Sequence, residues 1–185
     1  MDMKVIAVCG AHSGCGKTGV AEALLRALDG TWGALKYTKT SFYTSVSEEV
    51  NAVPDKDTER LKRAGAGRVV RVQSPPDGLS EPLGLALDML SDCNGIVVEG
   101  NSPIEFLKPD IVIFVFGRDT ERIKPSGKMA LNNADIVVYQ GKPPDKSILP
   151  DRAVTLIRYS LRNKEQLKSL TGKVLEKMAV TSQLD

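Results

Sequence analysis

The stretch Ala11-His12-Ser13-Gly14-Cys15-Gly16-Lys17-Thr18 follows an unbroken apolar run, Lys4-Val5-Ile6-Ala7-Val8-Cys9, and precedes a segment with apolar residues at helical spacing. Its end matches a phosphate-binding loop, whose pattern is Gly, any four residues, then Gly-Lys-Ser or Gly-Lys-Thr. Ala11 stands where the first glycine belongs, and the adjacent Gly10 supplies the missing flexibility. Chemistry accounts for the residue types. Glycines let backbone N–H groups converge on phosphate oxygens that a side chain would obstruct. The following helix adds its positive end. Lys17 brings a point charge to the outer phosphates, and the Thr18 hydroxyl suits Mg²⁺. The candidate nucleotide-binding residues are therefore His12, Ser13, Gly14, Cys15, Gly16, Lys17, Thr18 and Gly19, with Lys17 also a catalytic candidate. The competing explanation is a glycine-rich turn with a chance Gly-Lys-Thr. The strand before and the helix after argue against it.

Outward from this loop the same grammar repeats. A run that is apolar throughout suits a strand covered on both faces, as in a parallel sheet. Residues 4–9, 33–38, 68–73, 96–100, 111–116, 136–139 and 153–157 read as such strands. Helices are expected over 18–28, 57–64, 81–90 and 161–178. Val20, Leu24, Ala27 and Leu28 form the stripe of the first, and Asp29-Gly30 ends it. Residues 40–53 are polar and weakly patterned, and predict a long functional loop that orders on binding nucleotide or a partner. Strands alternating with helices require crossovers. The expectation is an α/β, doubly wound, mainly parallel sheet of about seven strands in a three-layer sandwich, one domain over 1–185.

Composition excludes other classes. With 42% hydrophobic and 26% charged residues, the chain is neither disordered nor fibrous. Its net charge of +2 gives no electrostatic footprint for nucleic acid. No apolar run approaches the ~20 residues of a membrane span. Val5 begins the core almost at once, so no secretory signal is expected before the first strand. Three cysteines cannot all pair. A reduced, cytoplasmic chain is expected.

Further candidates lie at strand ends. Ile96-Val97-Val98-Glu99-Gly100 ends on a carboxylate, where nucleotide-binding sheets hold Mg²⁺. Glu99 is thus a candidate metal-binding and catalytic residue, with Thr18 the other metal candidate. Lys36 and Lys39, in Leu35-Lys36-Tyr37-Thr38-Lys39, reach the same sheet edge and are candidates for a γ-phosphate or an anionic substrate. Asp55 and Asp57 can face that cleft, though Asp57 reads better as a helix cap. Cys9, His12 and Cys15 have metal-like spacing, but Cys9 closes a buried strand and the others belong to the loop. Basic residues are dense from Arg152 to Lys177. There Leu167, Leu170, Val174 and Met178 form a stripe whose opposite face must be polar, so this is a solvated helix face.

Residues 10–18, the segment Pro54-Asp55-Lys56-Asp57-Thr58-Glu59-Arg60-Leu61-Lys62-Arg63-Ala64-Gly65-Ala66 and the strand Val97-Val98-Glu99-Gly100 occur in an order that resembles the MobB family. These are small phosphate-loop proteins of molybdopterin-guanine dinucleotide biosynthesis, and Leu35-Lys36-Tyr37-Thr38 is similar to a segment they carry. The resemblance covers residues 1 to about 116. It implies a slow NTPase that assists a partner enzyme of molybdenum-cofactor biosynthesis, as a homodimer, with Gly14, Gly16, Lys17 and Thr18 on the phosphates. It also implies Thr18 and Glu99 on Mg²⁺, and Asp57 near the site. The loop itself is closer to those of cobyrinic acid synthases and dethiobiotin synthetase, which use ATP to activate a carboxylate. Ala134-Asp135-Ile136-Val137-Val138-Tyr139 resembles the strand that leads to the guanine-reading Asn-Lys-x-Asp of metallochaperone GTPases. Here Gln140-Gly141-Lys142-Pro143 follows instead, so ATP and GTP both remain open. An ATP-dependent synthetase or kinase using Lys36 and Lys39, and a non-catalytic nucleotide switch, stand as alternatives.

Overall fold

In the computed structural model, which describes residues 3–50 and 56–181, the strands form a single eight-stranded sheet. β1 (Lys4–Gly10) lies between β5 (Gly95–Glu99) and β6 (Ile111–Gly117). Outward from β5 come β2 (Trp32–Lys39), β4 (Arg68–Ser74) and β3 (Ser45–Glu48); outward from β6 come β7 (Ile136–Tyr139) and β8 (Thr155–Arg158). Every pairing is parallel except β3 with β4.

The unbroken apolar runs follow from burial on both faces. In β1, Ile6 and Val8 join Leu24 of α1 (Lys17–Ala27), Leu61 of α2 (Asp57–Arg63), and Leu170 and Val174 of α6 (Lys164–Thr181). Ala7 and Cys9 point the other way, to Ile104 of α4 (Ile104–Leu107) and to Ala130 and Leu131 of α5 (Pro125–Asn132). A third cluster packs Leu83 and Ala86 of α3 (Ser80–Met89) against Leu35, Val70 and Val98. Each fully buried aliphatic side chain contributes about 1.5–3 kcal/mol of transfer free energy. The sheet is thus the middle layer of three.

Four details depart from the sequence expectations. The polar stretch 40–53 contains β3, which pairs Ser45 to Gln73 and Glu48 to Val70 as an antiparallel edge. An edge strand half-covered on one face needs no apolar run, and Arg68 ties it down through Glu48 at 2.6 Å. α4 and α5 are absent from the sequence expectations: α4, at four residues, is too short to show a helical period, and α5 opens on Pro125 and carries Gly127, both of which read locally as turn. Finally, α6 begins at Lys164 rather than 161, since the Asn163 side chain accepts the N–H groups of Glu165 and Gln166, both at 3.1 Å. That cap leaves Leu161 outside the helix. Among the described residues no helix is long and apolar enough to cross a membrane.

Candidate functional site

Parallel pairing brings the carboxyl ends of β1, β5 and β2 side by side. Register sets Val8 opposite Glu99 and Glu99 opposite Lys36, so those two side chains share one edge. The loop after β1 turns over this edge with Gly14 and Gly16 in the left-handed region, at φ 76° and 103°. A Cβ on Gly16 would sit 2.7 Å from the buried Tyr159 hydroxyl. At Gly10 a Cβ would meet the Cys15 sulfur and, at 2.9 Å, the Lys17 side chain. The close approach therefore falls at Gly10, while Ala11 buries its methyl completely. This is why the loop tolerates alanine at its first position.

Beneath the loop a chain of polar contacts crosses the edge. Thr18 Oγ1 lies 3.1 and 3.0 Å from the two Glu99 oxygens and donates to them. Glu99 is only 4% exposed. Lys36 Nζ bridges two carboxylates, 2.7 Å from Glu99 Oε1 and 2.6 Å from Asp57 Oδ2. Arg60 adds a longer contact to Asp57 at 3.5 Å and holds Glu22 at 2.6 Å. Burial alone would raise the Asp57 carboxyl, but the Lys36 ammonium, with Thr18 and Arg60, holds it below the usual value. Asp57 opens α2 without capping it: Lys56 occupies the cap position and no side chain closes the helix start. The cap reading of Asp57 is thus corrected, because Lys36 takes its carboxylate. Asp55 and the rest of 51–55 lie outside the described residues.

A cleft of about 840 Å³ opens above this edge. Ser13, Gly14, Gly16, Lys17, Thr18, Gly19, Lys36 and Glu99 line it. Lys17 Nζ donates to the His12 carbonyl at 3.2 Å. His12 and Cys15 do not line the cleft: Cys15 is buried in the core, and the His12 ring rests against the Ser13 carbonyl at 2.8 Å. Cys9 donates to the Gly100 carbonyl, and burial pushes its thiol up to about 12. Among the described residues no three His, Cys, Asp or Glu side chains are grouped to hold a metal. A smaller cavity of about 420 Å³ lies at the opposite edge of the sheet, lined by Asp110 and Asp135. Those carboxylates accept the amides of Val5 and Val112 at 2.7 and 2.8 Å, which tie strands together.

Among the cleft residues that the sequence reading missed are Asn101, Ser126 and Lys124. The Asn101 side chain accepts from Gly10 N–H at 2.9 Å and donates to its carbonyl at 3.0 Å and to Ser126 Oγ at 3.4 Å, bracing the loop. Its place just after the Glu99-Gly100 strand end was a usable signal. Ser126 and Lys124 carried none, because the fold brings them to the cleft from the first turn of α5 and the residue before it. Lys39 lines the cleft too, exposed. Gln140 sits under the loop, with Nε2 3.7 Å from where a Gly16 Cβ would lie.

No protein-family model and no curated protein matches the chain. Among solved structures, the crystal structure of HypB from Helicobacter pylori in complex with nickel is similar, with a TM-score of 0.65. The identity is 15%, over 96% of this chain and 87% of that one. At that identity the likeness shows the fold, which is that of a P-loop NTPase.

Proposed function

We propose that a P-loop NTPase fold carrying this site binds Mg²⁺ and a nucleoside triphosphate, hydrolyses the nucleotide slowly, and serves a partner enzyme of molybdopterin dinucleotide biosynthesis. The observation that carries the nucleotide reading is the contact chain Thr18–Glu99–Lys36–Asp57 beneath the left-handed Gly14 and Gly16. The ordered resemblance of residues 10–18, 54–66 and 97–100 to the MobB family supports the biosynthetic role, and with it a cytoplasmic homodimer.

The donors fit the metal: Thr18, Glu99 and Asp57 offer hard oxygen ligands, and Mg²⁺ characteristically uses one or two carboxylates together with substrate phosphates. When bound, Mg²⁺ neutralises charge on the phosphate oxygens. The chain supplies the rest. Loop N–H groups orient the phosphates, Lys17 turns from the His12 carbonyl to the outer oxygens, and Glu99 holds Thr18 in place. Slow turnover follows from the commitments of the carboxylates. Glu99 and Asp57 share the Lys36 ammonium, so neither stands as an unpaired general base, while their remaining lone pairs stay available to a metal. Lys36, committed in this way, is an organiser of the carboxylates rather than an open substrate cation.

Calorimetric titration with Mg·ATP and Mg·GTP tests the reading. One triphosphate binds, and Lys17→Ala weakens it by about 10- to 100-fold, the worth of a charge-assisted hydrogen bond. GTP preference strengthens the molybdenum-cofactor role, and ATP preference favours the carboxylate-activating synthetases. Binding of neither triphosphate overturns the proposal.

A further inference from the structure

We propose that the part of the cleft lined by Lys124, Lys39 and Ser126 is a second anion site, which receives a small carboxylated or phosphorylated cosubstrate facing the nucleotide's terminal phosphate. The proposal rests on the assignment of the loop to a triphosphate.

Charge in the cleft is segregated. Lys36 and Arg60 are paired with Asp57, Glu99 and Glu22. Lys17, Lys39 and Lys124 line the same cleft, and among the described residues none of them has a carboxylate within ion-pair distance. Glu105 also lines the cleft but pairs with none of the three. Lys124 is tied to the phosphate loop by its own backbone, whose N–H donates to the Ala11 carbonyl at 2.9 Å. That bond holds the start of its side chain beside the loop, and both Lys124 and Lys17 line the cleft. Partial desolvation within the cleft, then the charges of Lys17 and Lys39, hold the otherwise exposed Lys124 below the ordinary lysine range.

Like charges gathered without a counter-ion repel, and an anion between them relieves that repulsion. The triphosphate engages Lys17, which leaves Lys39 and Lys124 for a second ligand. Ser126 adds a directed donor: its oxygen accepts from Asn101 at 3.4 Å, so its own proton is free to point at an anion. The cleft has room, since about 840 Å³ lies within the ~300–1,000 Å³ typical of small-molecule sites.

The test titrates inorganic phosphate and malonate, separately, into protein saturated with Mg²⁺ and a non-hydrolysable triphosphate analogue. At least one probe binds the loaded protein, and Lys124→Ala or Lys39→Ala weakens it about 10-fold or more. Phosphate binding alone identifies a phosphorylated cosubstrate; malonate binding alone identifies a carboxylated one. Both lysines are exposed, so the substitutions leave the core intact. The proposal is overturned if loading with the analogue abolishes both probes, because the lysines then serve the nucleotide itself. Failure of the analogue to bind wild-type protein sinks the nucleotide reading instead. In that case the same probes are titrated into Lys17→Ala. Binding that is lost on adding Lys124→Ala keeps the anion site, and no binding ends it.

Discussion

Lys36 occupies the most constrained position in the cleft. Its ammonium sits within 2.7 Å of two carboxylates, one of them 4% exposed. Removing one partner of a buried pair leaves the other charge uncompensated, which costs more than the pair contributes. Lys36→Met should therefore lower stability in metal-free buffer by about 3 kcal/mol, read from urea unfolding. The same variant should bind Mn²⁺ in the absence of nucleotide more tightly than wild type, because the carboxylates lose their internal cation, and Mg²⁺ should recover much of the lost stability. Unchanged Mn²⁺ affinity, followed by electron paramagnetic resonance, would contradict this account of the carboxylate pair. The sequence exposed Lys36 and Glu99 as strand-end residues. It did not expose their mutual contact, since 63 positions separate them and only the β2–β5 register joins them.

At the scale of the element, the phosphate loop depends on backbone conformation more than on side chains. Gly16 combines a φ of 103° with a buried hydroxyl 2.7 Å from the site of a Cβ. Burial pushes that Tyr159 phenol up to about 12, so it stays protonated beside the loop. Gly16→Ala should cost about 1–3 kcal/mol through strain, and adding Tyr159→Phe should restore part of it by removing the obstructing oxygen. Urea titration of the single and double variants measures both. No recovery in the double variant would place the penalty in φ alone. The glycines were readable from the motif. The obstacle was not, because Tyr159 arrives from the end of β8. α4 and α5 show the reverse relation: local sequence marked neither, and packing of Ile104, Ala130 and Leu131 on the sheet selects them.

For the whole molecule, strand order sets the gradient of stability. β1 and β5 are central, while β3 and β8 are edges with partly exposed residues. Native-state hydrogen exchange should protect β1, β5 and β6 amides most and β3 amides least, because opening an edge exposes little apolar surface. Slow exchange in β3 comparable to β1 would show that the edge is covered by something beyond this chain. The alternation of doubly covered strands with helices, the glycine-rich loop and the carboxylate at a strand end are all local patterns. Hydrophobic periodicity and turn chemistry act over a few residues, so the amino-acid sequence by itself determined the α/β class, the glycine-rich loop after β1 and the sheet edge where the candidate site lies. Which side chains meet there is a long-range matter. The tertiary structure alone decided that Lys36 closes on Asp57 and Glu99, that Asn101 and the start of α5 brace the loop, and that Lys124 joins Lys17 in lining the cleft. Those contacts depend on crossovers and register, whose energies come from burying faces of elements far apart in the chain.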